Sequence, residues 1–292
     1  MKKFNIIIAT VLLLVSASCK KDKDVIKSGP VPPTPIDTIA PPPVGDTVHI
    51  PLDDTARFLL KDIVNSGLPS PYYHFEYDNM KYVNKISFAA NFDIYNVEYA
   101  NKRVSKTTNP NNGHQQIYTY ENGKVSLITE SSVFNGQILW KYYFKYNVLN
   151  QLEQIKWQQF RTPTDIVDYR KLILQYRADG NLAKTDDFMI DPNDHLIWSK
   201  TTEYKDYDNT LNVDDFALFK NFFESMLFVP GVKFQTNNHH TEVITGAQND
   251  YRVTYTYQLT NGLPVRKNGN MVQTRGTNSG QSMNFTSQLS YY

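Results

Sequence analysis

Residues 118–129, Tyr-Thr-Tyr-Glu-Asn-Gly-Lys-Val-Ser-Leu-Ile-Thr, constrain the fold of this chain more than any other stretch. Their pattern predicts a strand, a tight turn and a second strand. Asn122-Gly123 is a strong hairpin signal, because a two-residue turn of the favoured hand requires positive φ at both central residues. The flanking segments alternate in β-branched and aromatic residues, which suit a pleated, half-buried surface.

Degenerate copies of this unit recur from Phe75 to Val265. Each copy has an aromatic or aliphatic residue, any residue, a tyrosine, a polar turn, and then a segment that carries Val, Ile or Leu. The repeat tyrosines are Tyr77, Tyr99, Tyr120, Tyr146, Tyr176, Tyr204 and Tyr257. Most lie 21 to 30 residues apart, which corresponds to one hairpin per repeat. Because a single hairpin cannot bury its apolar face, neighbouring hairpins must pair edge to edge.

The predicted fold class is therefore mainly β. We expect an antiparallel meander of successive hairpins that forms a curved open sheet or a partial barrel, with two short helices. The composition agrees, because 20 Tyr and 16 Phe in 292 residues favour sheet over helix.

The two expected helices lie outside the repeat pattern. The first is predicted near the start of the domain, where apolar residues follow a helical period at Ala56, Leu59, Leu60, Ile63 and Val64. The second is predicted after Tyr204, where Phe216, Phe219 and Phe223 share one helical face. We expect this second helix to pack as a plug against the curved face of the sheet.

The N-terminus carries an export signal. A basic start, Met1-Lys2-Lys3, precedes an apolar stretch from Phe4 to Val15 that is too short to remain as a spanning helix. The next residues, Leu-Val-Ser-Ala-Ser-Cys, end at Cys19, the only cysteine. This segment resembles the lipobox of bacterial lipoproteins. The resemblance implies that Cys19 is acylated, with palmitate among its fatty acids, and becomes the first residue of the mature protein. The alternative is an ordinary signal peptide with a chance cysteine.

The sequence therefore divides into three segments. Residues 1–18 are the signal peptide, residues 19–51 are the lipidated cysteine with a proline-rich tether, and residues 52–292 form a single β-repeat domain. Lys20 to Asp24 resemble the export signals of surface lipoproteins in Bacteroidota, although a solvated tether explains them equally well. We expect a lipid-anchored protein of the cell envelope, at the outer membrane or the cell surface.

The repeats themselves resemble the Tyr-Asp (YD) repeats of Rhs-type proteins, and more closely those of uncharacterised Bacteroidota lipoproteins. The third unit, around Tyr120 and Asn122-Gly123-Lys124, has the fullest match. Rhs proteins enclose a toxin in a large shell of many repeats. This chain has about seven repeats and no toxin-like tail, so the resemblance does not carry that function over.

The tryptophans are the candidate ligand-binding residues. Trp140, Trp157 and Trp198 each lie in an alternating strand pattern. Aromatic side chains in register on an exposed sheet face would form a platform on which sugar rings or extended peptides stack. The alternative is that they form the buried face of the sheet, covered by the second helix.

No motif in the sequence indicates catalysis or a cofactor. His239 and His240 are adjacent, so in a strand they point to opposite faces and cannot share a metal; we expect them in a surface loop. Residues 206–212 have oxygen-bearing side chains at alternate positions, but they lack the glycine and glutamate of a calcium loop and are predicted to form a turn. We therefore expect neither a metal nor a cofactor.

The net charge of the mature chain argues against nucleic acid as a partner. Removing Lys2 and Lys3 with the signal peptide changes the formal net charge from +1 to −1. We expect a non-catalytic binding or scaffold module whose ligand is a glycan or a peptide. The alternatives are a secreted hydrolase, similar to glycoside hydrolases, with a dispersed carboxylate site, and a structural partner of a membrane complex. The sequence indicates no particular oligomeric state.

Overall fold

The computed structural model describes residues 58–213, 218–219 and 224–292. The predicted signal peptide, Cys19 and the proline-rich tether lie outside these residues. Across the described ranges the chain forms strands and turns and no helix, which confirms the mainly β class. Accordingly, this part of the chain contains no helix long and apolar enough to cross a membrane.

The strands, numbered in chain order, follow one another through short turns. They are β1 (Leu60–Asn65), β2 (Tyr73–Tyr77), β3 (Val83–Phe88), β4 (Asp93–Ala100), β5 (Arg103–Asn109), β6 (His114–Glu121), β7 (Lys124–Ser132), β8 (Ile138–Tyr146), β9 (Leu152–Phe160), β10 (Ile166–Tyr176), β11 (Leu182–Ile190), β12 (Leu196–Leu211), β13 (Leu218–Phe219), β14 (Leu227–Phe228), β15 (Asn237–Gly246), β16 (Asp250–Thr260), β17 (Leu263–Arg275) and β18 (Ser282–Tyr291).

Sixteen of these strands close into one antiparallel barrel, in which consecutive strands are neighbours and β15 follows β12. The barrel closes where β1 pairs with β18, with Ile63 opposite Leu289. The meander was predicted correctly, but the open sheet or partial barrel was wrong. Closure leaves no unpaired strand edge in the barrel. The pairing of the last strand, β18, with the first strand closes the barrel, and a repeat pattern alone does not reveal this pairing.

Five of the seven repeat tyrosines, together with Tyr207 and Tyr291, form a ring of hydrogen bonds at one end of the barrel, which we call the repeat end. Its hairpin tips include residues 101–102 and 122–123. Each hydroxyl donates to a backbone carbonyl in the preceding hairpin, over 2.6 to 3.0 Å. The pairs are Tyr77 with Leu60, Tyr99 with Val83, Tyr120 with Val104, Tyr176 with Leu152, Tyr207 with Leu182, Tyr257 with His239, and Tyr291 with Pro264. Tyr207 thus takes the place predicted for Tyr204.

A β-bulge accompanies this ring in repeat after repeat. The register shifts between Glu98 and Tyr99, and again between Thr119 and Tyr120. The facing strand has one extra residue at this point. Two successive inward-facing residues of that strand are therefore three positions apart in the sequence instead of two. The same shift in β1 turns both Leu60 and Ile63 toward the core. The first predicted helix is therefore wrong over the described residues, because a bulge in a strand produced its helical spacing.

The described residues between β12 and β15 are 212–213, 218–219 and 224–236, and we call them the plug. Met226, Leu227, Phe228 and Val229 are completely or almost completely buried among the inward-facing side chains of the barrel. Phe216 and Phe223 of the predicted second helix lie outside the described residues, whereas Phe219 belongs to a strand. Leu218 and Phe219 pair with Phe228 and Leu227 as a two-stranded sheet. A segment buried on every side is apolar throughout, so periodicity does not separate a helix from a strand there.

The wall of the barrel is apolar inside and charged outside. Inward-facing residues such as Ile86, Ile128 and Ile155 are fully buried in one hydrophobic cluster. The alternate positions carry cross-strand and same-strand ion pairs. These pairs are Lys85–Glu76, Lys106–Glu98, Lys145–Glu153, Lys156–Asp168, Lys184–Asp186 and Lys205–Glu203. A barrel that spans a membrane has the opposite pattern, with an apolar band outside.

Candidate functional site

Two of the three predicted tryptophans line one cavity inside the barrel. Trp140 and Trp157 contribute to a cavity of about 330 Å³, which we call the tryptophan cavity. Its volume falls at the lower end of the range typical for small-ligand sites. The other lining residues are Phe92, Asp93, Tyr95, Asn112, His114, Tyr142, Glu224 and Ser225.

The alternation of the strands places these side chains on the inner face. Tyr95 on β4, His114 on β6, Trp140 and Tyr142 on β8, and Trp157 on β9 all point inward. Phe92 and Asn112 come from turns at the end opposite the repeat end, so the cavity lies toward that end, which we call the cavity end. Glu224 and Ser225 of the plug, which we call the plug tip, also line the cavity.

The aromatic rings form a wall with defined geometry. The ring of Trp140 stacks with Tyr142 at a centroid distance of 6.4 Å and an interplanar angle of 15°. Tyr142 meets Trp157 edge to face, and Tyr169 meets Trp140 in the same way. Trp157 is 1% exposed, so it serves mainly as the back of the wall. Trp140 is partly exposed and presents the ring that a ligand can reach.

A buried carboxylate holds the plug tip and one wall of the cavity. Glu130, on β7, is completely buried. Its oxygens lie 2.6 to 3.2 Å from the Tyr142 hydroxyl, the Ser225 hydroxyl, His114 Nδ1 and Gln116 Nε2. Gln116 Nε2 also donates to the Met226 carbonyl at 3.0 Å. This network therefore fixes His114, Tyr142 and the plug to one another.

The pKa values around Glu130 follow from burial and hydrogen bonding. Burial by itself raises the pKa of Glu130, but its four hydrogen bonds outweigh burial and hold the pKa below the ordinary value of 4.5. Burial, followed by the charge of Glu130, raises the pKa of the Tyr142 hydroxyl well above its usual value. The network consequently contains an ionised glutamate and a neutral tyrosine at neutral pH.

An ion-pair network separates the tryptophan cavity from a second cavity of about 320 Å³. Arg170 makes two hydrogen bonds of 2.8 Å to Asp187 and one of 3.0 Å to Glu224. Its guanidinium also lies over the ring of Trp157, 4.8 Å from the centroid. Arg170 and Asp187 line the second cavity, whereas Glu224 and Trp157 line the first.

Trp198 does not belong to either cavity. Its indole N–H donates to the Thr201 hydroxyl at 3.1 Å, and Thr201 donates to Asp186 at 2.6 Å. Thr201 faces outward, because the adjacent Thr202 is buried and lines the second cavity. Trp198 thus lies on the outer wall, because a register shift between Asp187 and Phe188 turns it to the opposite face from Trp140 and Trp157.

The two histidines lie on a strand and not in the predicted surface loop. Both belong to β15, and their side chains point to opposite faces as expected. His239 is 4% exposed, lines the second cavity and contacts Glu242 at 2.7 Å. His240 lies 3.2 Å from Asp208, which belongs to the far end of β12 and not to a separate turn. Among the described residues, no three His, Cys, Asp or Glu side chains are grouped to hold a metal ion.

Sequence reasoning missed the polar half of the tryptophan cavity. Asp93, His114 and Glu130 come from three different strands and carry no motif that joins them. The one available signal was the inward position of Glu130, which stands directly opposite Trp140 in the register. The other inward-facing positions of β7 are occupied by apolar residues such as Val125 and Ile128. A charged residue among them indicates a buried polar site.

Comparisons with known proteins support the barrel fold. No family model and no curated protein matches the chain. A porin-like protein from Bacteroides vulgatus ATCC 8482 superimposes with a TM-score of 0.51 at 14% identity, over 80% of this chain and 99% of that one. A porin-like protein from Bacteroides uniformis ATCC 8492 gives 0.50 at 15% identity, over 75% and 89%. At these identities the likeness concerns the fold alone.

One further structural match has a much lower score. The TcdB2-TccC3-Cdc42 complex matches with a TM-score of 0.28 at 14% identity, over 75% of this chain and 13% of that one. This score is too low to carry an argument. The resemblance of the repeats to YD repeats therefore stays a prediction.

Proposed function

We propose that the chain is a lipid-anchored, non-catalytic protein of the cell envelope that binds a small saccharide in the tryptophan cavity. The observation that carries this proposal is the convergence of Trp140, Tyr142 and Trp157 with Asp93, Asn112 and His114 around one cavity. Aromatic faces pack against the C–H faces of sugar rings, and planar polar side chains bond the ring hydroxyls. A few polar groups in a mostly apolar cavity are typical of a small-molecule site.

The closed barrel favours a compact ligand over an extended peptide. A peptide that binds as an added strand requires an unpaired sheet edge. The sixteen barrel strands are all paired on both sides, so the barrel offers no such edge. A saccharide of one or two rings suits a cavity of about 330 Å³ inside the closed barrel better.

The charged outer wall supports attachment through a lipid and not through the barrel. A lysine at the lipid-facing midplane of a membrane barrel costs about 2–4 kcal/mol. Lys85, Lys106, Lys156 and Lys184 all face outward, each in an ion pair. The predicted acylation of Cys19 supplies the membrane attachment that this wall does not. The porin-like neighbours agree with a place in the cell envelope, which remains part of the proposal.

The test is titration calorimetry of the mature chain with a panel of neutral mono- and disaccharides. We expect at least one sugar to bind, and we expect Trp140→Ala to weaken that binding by about tenfold or more, since it removes the reachable ring. Trp198→Ala is the matched control, because this tryptophan lies on the outer wall. Absence of binding across the panel, or equal losses in both variants, would contradict the proposal.

A second candidate function is hydrolysis of a glycoside, favoured by the presence of Asp93 and Glu224 in the same cavity. Such enzymes use two carboxyl groups that flank the scissile bond. Here Asp93 accepts a hydrogen bond from Asn109, and Glu224 is paired with Arg170, so each carboxylate has a structural role. Incubation with the disaccharides that bind, followed by chromatography, separates the two functions: released monosaccharide indicates hydrolysis, and intact ligand indicates binding.

A further inference from the structure

We propose that one half of the repeat end is a membrane-contact surface, which binds the anionic headgroups of the bilayer that holds the lipid anchor. We call this surface the membrane arc. It comprises Phe58, the end of β18, and the turns that join β2 to β3, β4 to β5, β6 to β7 and β8 to β9, which are neighbours around the barrel. The inference rests on the anchor of the proposed function and is independent of the ligand in the tryptophan cavity.

The chain enters the barrel at the repeat end. Phe58 is the first described residue, and Leu60, at the start of β1, accepts the hydrogen bond of Tyr77 in the ring of tyrosines. Residues 20–57 join Cys19 to this point, and a chain of that length spans at most about 130 Å. Acylation of Cys19 would hold the barrel within this distance of the bilayer. Weak surface contacts then suffice, because the tether raises the effective concentration of the arc at the membrane.

Several apolar side chains of the arc are exposed to solvent. Val148 and Leu149, in the turn between β8 and β9, are 85% and 67% exposed. Met80, in the turn between β2 and β3, is 73% exposed. Tyr292, beside the point where the chain enters, is 63% exposed, and its ring meets Tyr77 edge to face. Exposed aliphatic side chains with a tyrosine beside them suit the interface of a bilayer, where tyrosine is enriched.

The part of the arc between Met80 and Val148 is basic. Its four cationic side chains are Lys81, Lys102, Arg103 and Lys124. Within the described ranges, none of the four forms an ion pair with a carboxylate. The acidic side chains of the same turns and their flanks are Asp78 and Glu121, so positive charge predominates. Asp78 accepts hydrogen bonds from the backbone N–H groups of its own turn. Anionic headgroups supply the charge that complements this surface.

Two of these cations are positioned by tyrosine rings. The guanidinium of Arg103 lies 5.4 Å from the ring centroid of Tyr120, and Lys124 Nζ lies 5.3 Å from that of Tyr146. A ring face attracts a cation but does not neutralise its charge, so the charge still acts on a phosphate group. On the other half of the repeat end the pattern differs, because Arg177 is paired with Asp179 within its turn. The unpaired cations are thus a property of the arc.

This contact would orient the whole barrel. The tryptophan cavity lies toward the cavity end, so a membrane at the repeat end leaves the cavity facing away from the bilayer. The contact is peripheral, with headgroups against the turns and the charged outer wall in water. Each lysine or arginine near an anionic surface strengthens binding roughly fivefold, and salt screens the effect within about 10 Å.

The experiment measures vesicle binding by the mature chain with Cys19→Ser, which carries no acyl chain. Vesicles of equal parts phosphatidylcholine and phosphatidylglycerol are compared with phosphatidylcholine alone by co-sedimentation. We expect binding to the anionic vesicles, at least tenfold weaker binding to the neutral ones, and release of intact protein by added salt. Lys102→Gln combined with Arg103→Gln should weaken binding at least tenfold. Arg161→Gln, at the cavity end, is the matched control and should bind as before.

The apolar part of the arc has its own controls. Val148→Ser combined with Leu149→Ser should weaken binding, whereas Phe134→Ser at the cavity end should not, although Phe134 is 84% exposed. Cys19→Ser also removes the only cysteine, so an environment-sensitive dye can be attached to one chosen position. With anionic vesicles, dye on Leu149→Cys should shift its emission to shorter wavelength, and dye on Phe134→Cys should not.

The outcomes separate this inference from the proposed function. No binding to anionic vesicles, equal binding to neutral ones, or equal losses in the arc and cavity-end variants would overturn the membrane arc. A dimer without lipid that the Val148 and Leu149 changes dissociate would overturn it as well, because a second copy would then cover the arc. Sugar binding and acylation of Cys19 are measured separately, so their failure is distinguishable. The salt dependence of the chain without arc substitutions decides the question even where a variant fails to fold.

Discussion

The hydroxyl of Tyr99 donates a 2.9 Å hydrogen bond to the backbone carbonyl of Val83, sixteen residues earlier in the chain. The same relationship links Tyr120 to Val104. Most repeats thus attach a tyrosine to the hairpin before it, and Tyr146 is an exception. These hydrogen bonds run around the repeat end of the barrel, and they join hairpins that follow one another in the chain.

Replacing Tyr99 with phenylalanine should therefore destabilise the protein by about 1 kcal/mol, the usual net value of such a hydrogen bond. For a domain of this size, the loss corresponds to a fall of roughly 2–4 °C in Tm, measured by calorimetry. Tyr146→Phe is the matched control. Its hydroxyl is buried and has no hydrogen-bond partner within the described part of the chain. Equal losses in the two variants would show that the ring of hydrogen bonds contributes nothing.

The Glu130 network predicts a dependence of stability on pH. The pKa of Glu130 is lower in the folded state than the ordinary 4.5, so its contribution is present above about pH 4.5 and is lost as the pH falls through the folded-state pKa. Denaturant titrations between about pH 7 and pH 3 measure this slope. Glu130→Gln should make the slope shallower and should cost about 2–4 kcal/mol at neutral pH.

Glu242 contributes a second part of the same slope, which the Glu130 variant should retain. It is also largely buried, and its hydrogen bond to His239 helps to hold its pKa below the ordinary value, against the effect of burial. An unchanged slope in Glu130→Gln would mean that Glu130 is not charged in the folded protein.

Arg170 should be among the most sensitive polar residues in the barrel. Replacing it with methionine removes the guanidinium that Asp187 and Glu224 share, and the three side chains are only 6–16% exposed. Removing one member of a buried ion pair costs about 3–5 kcal/mol. The matched control is Arg161→Met, since Arg161 makes a comparable pair with Asp194 at 40–46% exposure. Because solvent screens that exposed pair, Arg161→Met should destabilise the protein far less than Arg170→Met. Similar losses in both variants would contradict the assigned role of Arg170.

Much of the fold could be predicted from the sequence, because it is encoded locally. Asn122-Gly123 and Asn261-Gly262 have positive φ at both residues and form hairpin turns as their type predicts. Asn268-Gly269 has the same composition but lies inside β17, where Phe285 packs over Gly269. There the cross-strand neighbour, which is distant in sequence, determines the structure.

The candidate site could be predicted only in part, for the same reason. Trp140 and Trp157 follow the inward alternation of their strands, so their shared face was accessible from the sequence. Trp198 follows a register shift between Asp187 and Phe188, which turns it to the other face. Closure of the barrel and the position of the plug depend on contacts across the whole chain, such as that between Gln116 and Met226.

The membrane attachment is a separate prediction. Mass spectrometry of the protein extracted from membranes should find a mature N-terminus at Cys19 that carries acyl chains. In cells fed an alkyne analogue of palmitate, the wild-type protein should be labelled and Cys19→Ser should not. Label that persists in the variant, or a mature chain that begins elsewhere, would contradict the lipobox.

The most direct test of the account is the behaviour of residues 20–292, without signal peptide and Cys19, in buffer that contains no detergent. The central claim is that the barrel presents its charged wall to water and keeps its apolar side chains and its ligand cavity inside. The account predicts a monodisperse protein with the circular dichroism of a β structure and a cooperative thermal transition. A protein that aggregates until detergent is added, or that inserts into lipid vesicles on its own, would contradict it.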